Sequence, residues 1–250
     1  MAKKFRDYYD RKTAQLLADK IKSAYSSFDS ESFVDQITEA VEGKEFKDRQ
    51  HIFAQAMETY LTPDYTQNLA ILTKILGPEL ETEEGMFTHG YWLWPVGTYV
   101  ERNAILDEKA SVDFIYELTK RFTGEFAIRP LIRNNPKDVL KTIETWSRDP
   151  KVHVRRLSSE GIRISLPWAS KMTEAVEEWE MYKRILSNLR HAPEKFVQKS
   201  VGNNLNDLMK YNRSKALQII AEWEQLDPSK HTRWIIKHGR RSERKNKAKE

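Results

Sequence analysis

An arginine-rich segment that contains one carboxylate lies near the middle of the chain, at residues 150–168. Arg156 and Glu160 are four residues apart, so on a helix they lie one turn from each other and can form an ion pair. Arg155 lies on the same side, and Trp168 follows in a connector. Such a cluster could hold phosphates around a carboxylate beside an aromatic wall. A solvated helix with an internal ion pair and a core tryptophan has the same pattern, and the spacing alone favours that alternative.

Helix signals flank this segment. Asp149 is the expected N-cap and Pro150 fits the first helical position. Gly161 permits the helix to end, so Arg163 and Trp168 would lie in a short connector. The sequence therefore predicts that the cluster is divided between one helix and the turn after it.

Apolar residues at helical spacing predict helices elsewhere, and no segment alternates as a strand would. Thr62-Pro63 is expected to begin one more helix, which Gly77-Pro78 ends. The aromatic segment 90–101 is expected to pack in the core. In the less favoured alternative, Tyr91, Trp92 or Trp94 faces a cleft. The other predicted helices span residues 11–26, 30–42, 45–61, 107–123, 125–134 and 136–148. The fold class is all-α.

A weak internal repeat predicts an α-solenoid of helical repeats. Similar segments begin at Pro150, Pro193 and Pro228, with separations of 43 and 35 residues, close to the period of helical-pair repeats. Chance is the alternative, since proline is common at the first helical position, but three matches with shared positions favour a repeat. Stacked helices in register would bring polar or basic residues onto one concave wall. These residues are Arg155 and Arg156, Gln198 and Lys199, and Arg233.

Composition excludes several classes of protein. The chain of 250 residues has no cysteine, which excludes disulfides and thiol chemistry and suits a reducing cytoplasm. No apolar run is long enough to span a bilayer, and no secretory signal is visible. The six His residues show no metal-ligand spacing, and no glycine-rich phosphate loop is present. Ser158 and Ser159 have no plausible base nearby in the sequence.

Positive charge is concentrated at the C-terminus. Residues 229–250 contain nine Lys or Arg and two Glu, a charge of +7, whereas the whole chain carries +5. We predict a single repeat domain over residues 1–239 and a basic tail over residues 240–250. The tail suits phosphate contacts, although a solvated terminus is the commoner case. Because the tail has almost no apolar residues, its removal is expected to cost little stability.

Four segments together resemble the AlkC-type DNA alkylation-repair glycosylases, which belong to a superfamily of HEAT-like repeat proteins. Residues 153–163 with Leu166-Pro-Trp-Ala169 are similar to the signature of that family. Three further segments agree in order and spacing, so the resemblance covers roughly residues 10–240. They are residues 90–95 ahead of 99–101, residues 121–130, and residues 200–207.

The resemblance implies an α-solenoid of HEAT-like repeats whose concave face binds duplex DNA. It implies base excision repair, in which alkylated purines, especially 3-methyladenine, are released by hydrolysis of the N-glycosidic bond without a metal or other cofactor. The expected partner is double-stranded DNA containing alkylated bases, with no membrane involved. The expected form is a monomer in the cytoplasm, on the nucleoid when bound to DNA.

Position by position, the resemblance also implies site residues. Glu125 and Glu160 match catalytic carboxylates, and Trp168 matches an aromatic wall. Without the resemblance, Glu125 would be interpreted as a residue stabilised by a helix N-terminus. The positions that match DNA-facing or neighbouring residues are Arg156, Arg163, Asn203, Asn204, Asp207 and, near the site, Glu42. The repeat adds Arg155, Lys199 and Arg233 to the predicted DNA contacts.

These residue types suit the chemistry. A purine alkylated at N3 or N7 is a cation that leaves as a neutral base, so the leaving group needs no proton. The enzyme must stabilise positive charge that develops on the sugar and must position a water molecule. A carboxylate can do both. Trp168 could contact the sugar or the base through its electron-rich face.

Two departures from the family pattern leave alternatives open. Ile164-Ser165 stands where the family commonly has Pro-Arg, and Gln198-Lys199 stands where it commonly has two basic residues. Two phosphate contacts are therefore expected to be missing. One alternative is a catalytically weak relative that binds DNA structures. Another is a HEAT-like protein-interaction scaffold with the acidic loop 79–84 as its docking surface. The sequence does not specify the range of lesions.

Overall fold

The computed structural model describes residues 4–243, and every regular element in that range is a helix. The all-α prediction is confirmed. Short 3₁₀ turns at Phe5–Tyr8, Tyr91–Leu93 and Ala104–Leu106 accompany the α-helices. The α-helices are α1 (Arg11–Ala24), α2 (Ser30–Ala40), α3 (Phe46–Tyr60), α4 (Tyr65–Ile75), α5 (Met86–His89), α6 (Trp94–Asn103), α7 (Glu108–Thr119), α8 (Arg129–Asn134), α9 (Pro136–Trp146), α10 (Val152–Glu160), α11 (Glu174–Glu177), α12 (Trp179–Asn188), α13 (Lys195–Tyr211), α14 (Arg213–Gln225) and α15 (Lys230–Gly239).

Two predicted helix starts are wrong. The N-cap of α4 is Asp64, whose carboxylate accepts a hydrogen bond of 3.0 Å from the backbone N–H of Gln67, so Thr62-Pro63 lies before the helix. The N-cap of α10 is Lys151, which places Pro150 outside the helix. Asp149 accepts from the backbone N–H of Lys151 at 2.7 Å, and this local turn replaces the predicted cap.

The region around Glu125 is less helical than predicted. α7 ends at Thr119 and α8 begins only at Arg129, so Glu125 lies in a turn rather than in a helix. Phe122 and Phe126 in this stretch are 2% and 7% exposed. Tertiary packing of these rings, rather than helical propensity, therefore fixes the backbone here.

The chain divides into two compact units, and residues up to Pro130 form the first. In this unit α1 packs on α2 and α4, α3 packs on α2 and α6, and α4 packs on α7. The indole of Trp94 lies at the centre of an aromatic cluster, with ring centroids 4.9 Å from Phe46 and 5.6 Å from Phe126. The prediction that the aromatic segment packs in the core is confirmed for Trp94, whereas Tyr91 is half-buried.

Residues from Leu131 onward form the second unit, in which α10, α13 and α15 pack in sequence on one another. These are the three helices that follow Pro150, Pro193 and Pro228, and each begins two residues after its proline. The predicted repeat therefore marks three neighbouring helices, although the prolines precede the helices.

The predicted tail begins in contact with the second unit. Arg241 donates to the side-chain oxygen of Asn203 at 3.0 Å, and Glu243 forms an ion pair of 2.8 Å with Arg213. Residues 244–250 lie outside the described residues. Within residues 4–243, none of the helices has both the length and the apolar character that crossing a bilayer requires.

Candidate active site

Glu160 is the last residue of α10 and is nearly buried, with 6% of its surface exposed. Its Oε1 accepts a hydrogen bond of 2.8 Å from Nη1 of Arg163 and lies 3.5 Å from Nη2 of Arg156. Its Oε2 accepts a hydrogen bond of 2.6 Å from the hydroxyl of Ser200 on α13. The ion pair with Arg156 confirms the interaction that the four-residue spacing predicts. The alternative of a solvated helix is wrong, since this carboxylate is enclosed.

Arg163 connects Glu160 to a second carboxylate. Its Nε donates to Oδ2 of Asp207 on α13 at 2.9 Å, and its Nη2 donates to the carbonyl of Ser165 at 3.2 Å. Arg163 and Asp207 are 7% and 5% exposed. The guanidinium of Arg163 therefore links Glu160 at the end of α10 to Asp207 on α13 and so fixes the position of Glu160.

Arg156 completes this buried network. Its guanidinium carbon lies 5.0 Å from the ring centroid of Phe196, and only 9% of the residue is exposed. Stacking on an aromatic ring and pairing with a carboxylate fix an arginine in one geometry. Two cations, Arg156 and Arg163, thus accompany two carboxylates, Glu160 and Asp207, so the network is formally neutral.

The network keeps Glu160 ionised. Burial on its own raises the pKa of this carboxyl, but the charges of Arg156 and Arg163 and the hydrogen bonds from Ser200 and Arg163 outweigh burial, so the pKa of Glu160 lies below its usual range. The pKa of Arg163 is raised, because the charges of Glu160 and Asp207 outweigh its own burial. A carboxylate that stays charged while shielded from water can act strongly on a nearby positive charge.

Sequence analysis did not identify Ser200 as a site residue. Ser200 and Asp207 are seven residues apart on α13, which is two helical turns, so both can face α10. The seven-residue spacing between Ser200 and Asp207 was the signal in the sequence that could have identified Ser200. The carboxylate of Asp207, a predicted DNA contact, accepts a hydrogen bond from Arg163.

Glu125 lies in the first unit, in the turn before α8, and is 5% exposed. The next residue, Phe126, contacts the Trp94 cluster on one side, and the ammonium of Lys47 lies 4.8 Å from its ring centroid. Lys47 in turn lies 3.6 Å from the carboxylate of Glu101. Aromatic packing therefore positions the backbone that carries Glu125.

Trp168 is exposed and its backbone is strained. It is 57% exposed and has a φ of 61°, in the left-handed region that bulky residues rarely adopt. The alternative of a core tryptophan is therefore wrong. Strain of this kind persists where the surrounding structure imposes it and is concentrated at functional sites.

The remaining predicted DNA contacts differ in exposure. Asn204 is fully buried, accepts from the hydroxyl of Tyr182 at 2.7 Å and donates to the carbonyl of Ser159, so its position suits a structural role. Arg155 forms an ion pair with Glu194. Lys199 and Arg233 are exposed, and Asn203 is half-buried.

Glu42, a predicted neighbour of the site, is exposed in the turn after α2. Within residues 4–243, no group of three or more His, Asp or Glu side chains is arranged to hold a metal ion.

A family model described as DNA alkylation repair enzyme matches residues 104–242, more than half of the chain. The chain belongs to the DNA alkylation repair enzyme family. The region that matches the family model includes Glu125, the buried network around Glu160, and Trp168.

Two known proteins are similar to this chain over nearly all of its length. The uncharacterized protein YhaZ of Bacillus subtilis (strain 168) is 28% identical over 238 residues, which are 95% of this chain and 64% of that protein. The alkylpurine DNA glycosylase AlkC of Pseudomonas fluorescens was solved bound to DNA containing an abasic site analog. It matches with a TM-score of 0.83 and 28% identity over 97% of this chain and 65% of that chain. The match confirms the predicted helical-repeat fold. The chain spans less than two thirds of the length of either relative.

Proposed function

We propose that this protein is a DNA glycosylase that hydrolyses the N-glycosidic bond of cationic alkylated purines, of the 3-methyladenine type, in duplex DNA. The observation that carries the proposal is the buried, ionised carboxylate of Glu160, held by Arg156, Arg163 and Ser200. Membership of the DNA alkylation repair family and similarity to AlkC support it.

The substrate determines what the site must do. A purine with an alkyl group on N3 or N7 is positively charged and departs as a neutral base, so its glycosidic bond is already weak. As the bond breaks, positive charge moves onto the deoxyribose. The protein therefore needs a fixed negative charge near the sugar and a group that accepts a proton from the attacking water.

Glu160 meets the first requirement. Its partners occupy both carboxylate oxygens, so the charge is oriented before substrate binds and little reorganisation is needed during the reaction. Arg163 acts as a positioning residue, because it links Glu160 to Asp207 through two of its nitrogens. Asp207 offsets the charge of Arg163, so Arg156 is the cation that balances Glu160 within the formally neutral network.

Glu125 and Trp168 have separate roles in the proposal. Glu125 is the second carboxylate, which accepts the proton of water or adds to the stabilisation of the sugar cation. Trp168 presents its exposed ring to the sugar or to the cationic base, where an aromatic face attracts positive charge.

Substrate of this kind would place the protein on the nucleoid, and we propose that it acts there as a monomer.

A second candidate function is binding of DNA structures with little catalysis. The observation that favours it is Gln198, which stands where related proteins are expected to carry a basic residue. Gln198 is 3% exposed and its amide donates to the carbonyls of Ala192 and Pro193, so it offers no charge to a phosphate.

Release of free bases from methylated duplex DNA decides between these functions. Purified full-length protein in excess over substrate should release 3-methyladenine, identified by chromatography and mass, with first-order kinetics. Glu125→Gln and Glu160→Gln should each lose most of this release, and the double variant should show non-additive loss if both act on one sugar cation. Tight binding of the same DNA without any free base would support the second function instead.

A further inference from the structure

Two charged residues of the first unit, Lys47 and Glu101, contact each other beside the turn that carries Glu125. Lys47 is the second residue of α3, and Glu101 lies near the end of α6. The ammonium of Lys47 lies 4.8 Å from the ring centroid of Phe126 and 3.6 Å from Oε2 of Glu101. One lysine therefore contacts both a carboxylate and the ring of the residue that follows Glu125.

Two backbone hydrogen bonds close the turn around Glu125. The N–H of Ile128 donates to the carbonyl of Gly124 at 3.0 Å, and the N–H of Arg129 donates to the carbonyl of Phe126 at 3.3 Å. These bonds hold the backbone less rigidly than the continuous hydrogen bonds of a helix would. The position of Glu125 therefore depends on the side-chain contacts of its neighbours, and above all on those of the Phe126 ring.

The ring of Phe126 is not packed on every side. The ring centroid of Trp94 lies 5.6 Å away, at an interplanar angle of 36°. A cavity of about 10 Å³ also borders Phe126, and Gly97 and Thr98 of α6 are among its other lining residues. Because a void offers no atoms to contact, the contacts on the remaining sides decide where the ring lies. Lys47 provides one of these contacts.

The helices α3 and α6 act on this turn together. Phe46 precedes Lys47 on α3, and its ring centroid lies 4.9 Å from that of Trp94. Trp94 and Glu101 are seven residues apart on α6, which is two helical turns, so both can face α3. Phe46 thus contacts Trp94, while Lys47 contacts Phe126 and Glu101.

Glu101 holds the ammonium of Lys47 beside the ring. Its Oε2 is buried and has no hydrogen-bond partner among residues 4–243, so the ion pair with Lys47 compensates its charge there. The side chains of Lys47 and Glu101 are only 25% and 24% exposed, which limits screening of the pair by water. An aromatic face also attracts a cation, so both contacts favour the same position of Lys47.

We propose that Lys47 and Glu101 are positioning residues for Glu125 in base release. The inference rests on the proposed function, in which Glu125 is the second carboxylate. Glu101 fixes Lys47, Lys47 fixes the ring of Phe126, and the ring fixes the backbone that carries Glu125. A displacement of about 1 Å can lower a catalytic rate about 100-fold. Loss of the cation should therefore lower the rate of release and leave affinity for DNA unchanged.

Three variants of the full chain test the role of Lys47. Lys47→Met removes the charge but keeps a long side chain, and Lys47→Arg keeps a cation that can stack on a ring and pair with a carboxylate. The matched control is Lys20→Met, because the ammonium of Lys20 lies 4.6 Å from the ring centroid of Trp92. Both lysines are half-buried in the first unit, and both rings are nearly buried.

Single-turnover release of 3-methyladenine from methylated duplex is the first measurement. Lys47→Met should release the base about 10- to 100-fold more slowly than the unsubstituted protein. Lys47→Arg should recover most of the rate, and Lys20→Met should retain all of it. Urea unfolding should show a similar loss of stability in both methionine variants, so general destabilisation would not explain a loss of rate that only Lys47→Met shows.

Binding of undamaged fluorescent duplex, measured by anisotropy over a series of salt concentrations, separates positioning from a direct phosphate contact. Lys47→Met should leave the slope of log K against log salt unchanged. Loss of one phosphate contact would instead reduce that slope by about 0.9 units. A slope reduced by that amount, or a Lys47→Arg protein as slow as Lys47→Met, would overturn the proposal.

Glu101→Gln tests the other half of the pair. If Glu101 acts only through Lys47, this substitution should slow release by itself but cause no further loss in a protein that already carries Lys47→Met. Losses that multiply in the double variant would show that Glu101 acts independently and would reject its role in positioning Lys47.

The unsubstituted protein distinguishes failure of this proposal from failure of the proposed function. If it releases no base, the glycosylase function is rejected, and the positioning role of Lys47 is rejected with it. If it releases base at a rate that Lys47→Met does not lower, the positioning role alone is rejected.

Discussion

Arg155 and Gln198 occupy the same position in consecutive helical repeats and make the same backward contacts. Each lies five residues after the proline that precedes its helix, Pro150 or Pro193. Nη1 of Arg155 donates to the carbonyl of Pro150 at 2.9 Å and to that of the preceding residue at 2.8 Å. Nε2 of Gln198 donates to the carbonyl of Pro193 at 3.0 Å and to that of the preceding residue at 2.9 Å.

Both side chains also reach forward to the next repeat. Arg155 pairs with Glu194, the N-cap of α13, and Gln198 contacts Nδ1 of His231 in α15 at 2.9 Å. The two side chains therefore have the same structural role: Arg155 links α10 to α13, and Gln198 links α13 to α15. This arrangement explains why glutamine can replace a basic residue at position 198 without loss of packing.

Glu160→Gln should abolish most base release while the protein still binds DNA. The substitution removes the negative charge but keeps an oxygen for the hydroxyl of Ser200. It also leaves Arg156 and Arg163 with less compensation in a buried place, and removal of one partner from a buried pair typically costs about 3–5 kcal/mol. Single-turnover release and urea unfolding measure the two effects.

Glu144→Gln is the control for this prediction. Glu144 also pairs with two arginines, Arg184 and Arg148, but on a more exposed surface. Its substitution should change the free energy of unfolding by no more than about 1 kcal/mol and should leave release intact. Unchanged excision by Glu160→Gln would show that Glu160 is structural only.

The stability of the protein should fall in acid because of Glu160. Its pKa is lowered by folding, so its contribution is fully present above the unfolded pKa of about 4.3 and is lost as the pH falls through the lower folded pKa. The difference in unfolding free energy between the unsubstituted protein and Glu160→Gln should shrink below about pH 4. Urea titrations from pH 3 to pH 7 would detect it, and a constant difference would contradict the assigned ionisation.

Local and distant interactions differ in how well the sequence predicts them. The ion pair between Arg156 and Glu160 follows from a spacing of four residues on one helix. The contact of Arg163 with Asp207 joins residues 44 apart, and the contact of Ser200 with Glu160 joins residues 40 apart. Those contacts depend on how α10 packs against α13, which no local pattern specifies.

The sequence also left the environment of single residues undetermined. A connector tryptophan suits a core or a surface equally well, and only the packing of its neighbours leaves Trp168 exposed. At Asp149 the choice between a helix cap and a turn depends on small energies, and the turn with Lys151 prevails. The helices and their order were predictable because their apolar periodicity extends over many residues.

Trp168→Gly should separate strain from function. Glycine adopts a φ of 61° without the penalty of about 1 kcal/mol or more that a side chain incurs, so the protein should be as stable as before or more stable. Base release should nevertheless fall, because the exposed ring is lost. Thermal unfolding and single-turnover release are the measurements.

Asp227→Gly is the matched control for Trp168→Gly. Asp227 has a φ of 48°, and no role in the site is assigned to it. This variant should keep its full rate of base release. A Trp168→Gly protein that is equally active would mean that the indole does not contact the substrate.

Gly202→Ala should destabilise the second unit. The new methyl group would lie 2.7 Å from the imidazole of His238, and overpacking of this kind costs roughly 1–3 kcal/mol. Gly97→Ala on α6 is the comparison, because the nearest atom to its new methyl group would be 3.6 Å away. Alanine there should stabilise the helix by about 0.5–1 kcal/mol. Chemical denaturation of both variants measures the effect, and equal values would show that α13 and α15 can separate freely.

Two truncations should separate the electrostatic role of the C-terminus from its structural role. A chain that ends at Glu243 loses Arg244, Lys245, Lys247, Lys249 and Glu250, a net charge of +3. It retains the contacts of Arg241 with Asn203 and of Glu243 with Arg213, so its free energy of unfolding should be unchanged. Its affinity for undamaged duplex should fall, most clearly at low salt, where screening is weak.

A chain that ends at Gly239 loses those contacts as well. It should therefore unfold at a lower urea concentration, in contrast to the expectation from composition that removal of residues 240–250 costs little. Anisotropy at low and moderate ionic strength and urea unfolding compare the two truncations. If the chain that ends at Glu243 binds undamaged duplex as tightly as the full chain at low salt, residues 244–250 add no attraction to DNA.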